Sequence, residues 1–86
     1  MVESSPYEFP LVFPLKVIGR NELDFEGFVL SVVQTHAPLS ARTVSTRPSQ
    51  GGKYLAVTVT FVAESRGQLD AIYQELSSHP RVLVAL

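Results

Sequence analysis

Arg20, Arg47, Lys53 and Arg81 are four of the seven basic residues in this chain, and each stands in or beside a break in the hydrophobic patterning. Ser49, Tyr54 and His79 accompany them. Guanidinium, ammonium, hydroxyl and imidazole groups beside a Gly51-Gly52 turn are the equipment for holding an anion, because turn amides can point at the same charge. Ordinary surface loops carry the same residue types, and Glu22 and Asp24 follow Arg20 closely enough to offset part of its charge. These residues raise two expectations, a small anionic ligand and a protein partner. The elements that position them decide between the two.

Other chemistry finds less support. The chain has no cysteine, which removes disulfides, thiolate nucleophiles and cysteine-ligated metals. His36 and His79 each close a predicted helix, where positive charge is favourable, and the helices put them at opposite ends of the fold, too far apart to share a metal. The carboxylates scatter over helix faces and the N-terminal stretch, so a paired general acid and base is not expected. No Ser/His/Asp arrangement can be drawn. Gly51-Gly52-Lys53 lacks the GxxxxGK[ST] spacing of a phosphate loop and leads into a strand instead of a helix. The expectation is a protein that is not an enzyme and has no cofactor or metal.

At 86 residues, 45% hydrophobic and 17% charged, the composition suits one folded domain and is too apolar for disorder. A net charge of −1 gives no reason to expect nucleic acid or an anionic membrane. The opening MVESSPYE is too acidic and polar for a signal peptide, and no apolar run reaches the ~20 residues of a membrane span. A cytoplasmic location is the expectation.

Tyr54 to Ala63 is the longest run of two-residue alternation, with Leu55, Val57, Val59, Phe61 and Ala63 on one face. Met1 to Glu8 reads as a flexible tail, and residues 9–86 as a single domain. Phe13, Leu15 and Val17 alternate with Pro14, Lys16 and Ile18, so Lys16 marks the face away from the core. Because proline avoids central strands, regular pairing is expected to begin near Leu15. Asn21 is the expected helix cap, followed by the stripe Phe25, Phe28, Val29, Val32, Val33 and His36. Thr43 to Arg47 is a short strand, polar on both faces, suited to a sheet edge. Ser65 and Gln68 have capping-box spacing, with Ser65 the expected cap and Gln68 expected to reach back to it, before the stripe Leu69, Ile72, Tyr73 and Leu76. Arg81 to Leu86 alternates again, with Val82, Val84 and Leu86 expected on the core face.

The order is βαββαβ. Right-handed crossovers and hairpin pairing fold it into an α+β, ferredoxin-like, four-stranded antiparallel sheet of order 4-1-3-2 with two helices on one face.

Phe9-Pro10, Lys16-Val17-Ile18-Gly19, His36-Ala37-Pro38, Arg47-Pro48-Ser49, Gly52-Lys53-Tyr54 and Val57-Thr58-Val59, with Tyr73 and Leu76, form a combination found together. On these residues the chain resembles the YbeD-like family of small uncharacterised bacterial proteins. The resemblance implies a ferredoxin-like domain similar to the regulatory ACT domains, and brings no established activity or catalytic residue. Gln50 and Ala56 stand where the family often has hydroxyl residues.

Topology sorts the loops. The Gly19–Asn21 loop, the Arg47–Lys53 hairpin and the Ser77–Arg81 turn are expected at one end, which gathers Arg20, Arg47, Lys53, His79 and Arg81 there. Ser49 and Tyr54 adjoin them at the hairpin. The open sheet face and the edge strand Thr43–Arg47 are the surfaces expected for a protein partner or for self-association. Acylphosphatases share the topology, but their glycine-rich first loop is missing. RNA-recognition motifs share it too, yet of their base-stacking aromatics only Tyr54 has a counterpart. The leading expectation is a non-enzymatic regulatory or adaptor domain, with an ACT-like sensor of a small anionic metabolite as the alternative.

Overall fold

The structure, a computed structural model, describes residues 8–86. Most of the expected tail, residues 1–7, lies outside the described residues. The elements run β1 Leu11–Arg20, α1 Phe25–His36, β2 Arg42–Pro48, β3 Tyr54–Ala63, α2 Arg66–Ser78 and β4 Val82–Ala85. The strands lie in the order β2-β3-β1-β4, all pairs antiparallel. That is the expected order read from the other edge.

Alternation in β3 does what it predicts. Val57, Val59, Phe61 and Ala63 are buried, whereas Tyr54, Ala56, Thr58, Thr60 and Val62 are only partly covered. Register places Phe13 against Phe61, Leu15 against Val59 and Val17 against Val57, so β1 and β3 present their apolar positions to the same side. Both helices close that side: Phe25, Val29, Val32 and Val33 from α1 join Leu69, Ile72 and Leu76 from α2 in one cluster with the strands. Full burial of each such side chain contributes about 1.5–3 kcal/mol, so this layer dominates the fold's stability. Among the described residues, no helix covers the opposite face of the sheet.

Four local expectations are corrected. Pro14 lies inside β1, paired with Thr60. Lys16 exchanges both backbone hydrogen bonds with Leu86 on the β4 side, and two-residue periodicity turns the Pro14 nitrogen to that side as well. There it lies beyond the end of β4, so no ladder bond is lost.

In β4 the alternation breaks. Ile18 pairs with Val84 but Gly19 pairs with Val82, which leaves Leu83 as an extra residue. The bulge moves Val84 and Leu86 off the core face, 42% and 61% exposed, and Ala85 packs against the core with Val82.

Asn21 does not cap α1. Asp24 occupies the cap position without a side-chain bond, and Asn21 instead bonds the β2–β3 hairpin.

Ser65 does cap α2, accepting from the Gln68 amide at 3.1 Å. The Gln68 side chain, however, reaches past it. Its Oε1 accepts from the Glu64 amide at 2.8 Å and its Nε2 donates to the His36 carbonyl at 2.9 Å, joining the start of α2 to the end of α1.

Candidate functional site

The β2–β3 hairpin is built by Ser49 and two glycines. The Ser49 amide donates to the Tyr54 carbonyl at 2.8 Å, and the Tyr54 amide donates to Ser49 Oγ at 2.9 Å. Gly51 and Gly52 have φ of +88° and +77°, the left-handed region that glycine enters without a Cβ penalty. Asn21 then fastens the β1–α1 loop onto this turn, with its amide on the Lys53 carbonyl and its Nδ2 on the Gly52 carbonyl, both at 3.0 Å. The two loops share one end of the sheet, as the topology predicts.

Register carries the charge onto the open face. Arg47 lies opposite Ala56, Ala56 opposite Ile18, and Ile18 opposite Val84, a row across all four strands. One row along, Ser45, Thr58 and Lys16 are level, and Arg20 pairs with Tyr54. Lys53 Nζ sits 5.5 Å from the centre of the Tyr54 ring. Between Lys16, Ile18, Arg47, Ser49, Tyr54 and Ala56 lies a shallow groove of about 490 Å³. Among the described residues, the open-face strand positions include Lys16, Arg20 and Arg47 but no carboxylate.

The remaining basic residues are engaged elsewhere. Arg81 meets Asp24 at 2.5 Å and Glu22 at 3.2 Å, with its guanidinium carbon 5.2 and 5.9 Å from the Phe28 and Phe25 ring centres. The Arg81 hydrogen bond holds the Asp24 carboxyl below its ordinary range, and the same bond raises the Arg81 pKa. Arg42 donates to the Ala37 carbonyl at 2.8 Å, and Arg66 faces Asp70 at 3.7 Å. His79 packs 4.3 Å from the Phe28 ring, and its Nδ1 accepts from the Arg81 amide. His36 meets Glu75 at 2.7 Å.

Of the seven residues singled out from the sequence, the structure gathers Arg20, Arg47, Ser49, Lys53 and Tyr54 at one corner of the open face. The Arg81 guanidinium turns to Asp24 and Phe28 and His79 packs on Phe28, although Arg81 still lines a small cavity of about 190 Å³ with Arg20 and Glu22. Of the backbone amides near these cations, that of Gly52 in the turn bonds the Ser49 carbonyl, and that of Phe25 at the start of α1 bonds the Glu22 carbonyl. Lys16 and Ile18 line the groove although loop sorting did not select them. Their position outside the core was legible in the alternation of β1, but their level beside Arg47 depends on register. Among the described residues, no group of three or more His, Asp or Glu could hold a metal ion.

Residues 4–86 match the family model described as protein of unknown function (DUF493). The chain belongs to the DUF493 family. A UPF0250 protein of Nitrosomonas europaea is 44% identical over the full length of both chains. A UPF0250 protein of Paraburkholderia phytofirmans is 45% identical over 99% of this chain and 97% of its own. These are the uncharacterised bacterial proteins that the YbeD-like resemblance points to. The solution structure of protein HP0495 from H. pylori superposes with a TM-score of 0.76 at 14% identity, covering 98% of this chain and 89% of that one. That likeness speaks for the DUF493 fold alone.

Proposed function

We propose that this DUF493 protein is a small non-enzymatic regulatory or adaptor domain, ACT-like in its use of a bare sheet, that binds an acidic protein partner through the open face. One observation carries the reading. Among the described residues, the basic side chains without a carboxylate or carbonyl partner are Lys16, Arg20, Arg47 and Lys53, and all four belong to this face or its hairpin corner. The acidic residues of these elements are in the helices, Glu26, Asp70 and Glu75, and in the connecting loops, Glu22, Asp24 and Glu64, none of them at an open-face strand position. Apolar Val84 lies on the same face opposite Ile18, and Val12, 67% exposed, lies further along it toward the other end of β1.

Magnitudes favour a protein over a free metabolite. An exposed ion pair contributes about 0.2–1 kcal/mol, so a small anion held by a few of them falls short of the roughly 4 kcal/mol of millimolar binding. Covering apolar surface changes this, at about 2.5 kcal/mol for every ~100 Å². Only a ligand that spreads over the face collects that term. The metabolite-sensor reading rests on the corner groove and stands second. Self-association of two open faces would set like charges against each other, which disfavours it. A cytoplasmic setting goes with the reading.

A photo-crosslinking residue at Thr58, on the open face, and another at Gln74, exposed on α2, test it in cell lysate. A discrete protein adduct from Thr58 and none from Gln74 is the expected result. Adducts from Gln74 alone would reject the open face.

A further inference from the structure

The corner groove gives the chemistry of that partner a more definite form, one that rests on the open-face reading. We infer that the groove is a carboxylate anchor: it takes one Asp or Glu side chain of an extended acidic segment whose apolar neighbours lie along the sheet. Three features point there. The walls carry Arg47 and Lys16 from β2 and β1, while no lining residue is acidic. Ser49 Oγ is fixed by accepting the Tyr54 amide proton at 2.9 Å, and no described neighbour receives its own proton, which is free to donate to an incoming oxygen. The floor is Ile18 and Ala56, paired across β1 and β3 and without polar side-chain atoms, so contacts on either side of the anchored oxygens are apolar. A planar guanidinium with a nearby ammonium and hydroxyl suits a carboxylate. The open, shallow shape admits a chain passing through instead of enclosing a whole small molecule.

The test uses the full chain, labelled with ¹⁵N, titrated with the peptide acetyl-Glu-Leu-Glu-Ala-Glu-amide up to about 10 mM, well past millimolar affinity. Its glutamine counterpart and inorganic phosphate serve as separate probes. The expected result is saturable shifts at the amides of Ile18, Arg47, Ser49, Tyr54 and Ala56, at least about fivefold weaker for the glutamine peptide, for Arg47→Ala and for Lys16→Ala, with amide dispersion showing both variants folded. Equal or tighter corner binding of phosphate overturns the inference in favour of a small-anion site. Shifts confined to Val12, Thr60 and Val62 overturn the anchor while leaving the open-face reading standing. No saturable shift overturns the anchor alone, because crosslinking from Thr58 judges the face independently. Corner shifts on dilution without peptide would make a second copy the occupant and reject the inference.

Discussion

Ser49 and Tyr54 hold each other twice across the mouth of the hairpin, amide to carbonyl at 2.8 Å and amide to side-chain hydroxyl at 2.9 Å. The second bond lets a side chain complete what the backbone ladder leaves open as the strands part. It also fixes the hydroxyl beside Arg47, so the piece that shapes the turn is the piece that faces the groove.

Ser49→Ala removes the hydroxyl bond and keeps the backbone one. The expected cost is about 1 kcal/mol in urea unfolding, with Ser49→Thr close to wild type. A cost near zero would mean that water replaces the hydroxyl without loss.

Gly19→Ala meets harder resistance. An added Cβ would lie 2.5 Å from both the Arg81 carbonyl oxygen and the Phe25 ring. One obstacle is backbone and the other a fully buried aromatic, so neither yields easily. The expected loss is about 1–3 kcal/mol, read as a lowered unfolding midpoint. Gly27→Ala, in the first turn of α1 where nothing lies within 4 Å, is the control and should be neutral or stabilising.

Gln68 makes bonds at both ends of its amide, to the Glu64 N–H and the His36 carbonyl. Gln68→Ala is expected to cost about 1–2 kcal/mol. Gln68→Glu keeps the acceptor for the Glu64 N–H but turns a carboxylate oxygen toward the His36 carbonyl, and is expected to cost at least as much as Gln68→Ala. Thermal unfolding of the three proteins orders them.

Asp24 links stability to acid. Its folded pKa is lowered, chiefly by the Arg81 hydrogen bond, so its contribution is fully present above the unfolded carboxylate value of about 4 and is lost as pH falls through the lower folded value. Asp24→Asn should therefore weaken the protein at pH about 6 and show a smaller further loss below pH about 4 than wild type. Parallel curves for the two proteins would show that Asp24 does not carry the effect.

Val57, Val59 and Phe61 announce the buried face of β3 by alternation alone, and Phe25 to His36 announces the helix that covers it, because both periods are local and can be read in the sequence. Pro14 misled because its tolerance depends on where β4 stops, a fact held by Leu86 and not by the residues around Pro14. Val84 misled because one bulged residue inverts everything after it. The candidate site divides in the same way. Arg47, Ser49, Lys53 and Tyr54 are hairpin neighbours in sequence and stay together. Arg81 was placed beside them by topology, but its guanidinium is settled by Asp24, 57 residues away, and by the rings of Phe25 and Phe28. No local signal in the sequence reports that choice.

The open-face reading is decided by the affinity of the partner crosslinked at Thr58 for wild type and for the double variant Lys16→Glu, Arg47→Glu, each at about 0.05 M and about 0.3 M salt. Both substitutions are on exposed side chains, so the variant should fold normally. Wild-type binding is expected to weaken as salt rises, and charge reversal to weaken it at least about tenfold at low salt, roughly 1.4 kcal/mol. Binding that is indifferent to salt and unchanged in the double variant would refute an acidic partner on the open face.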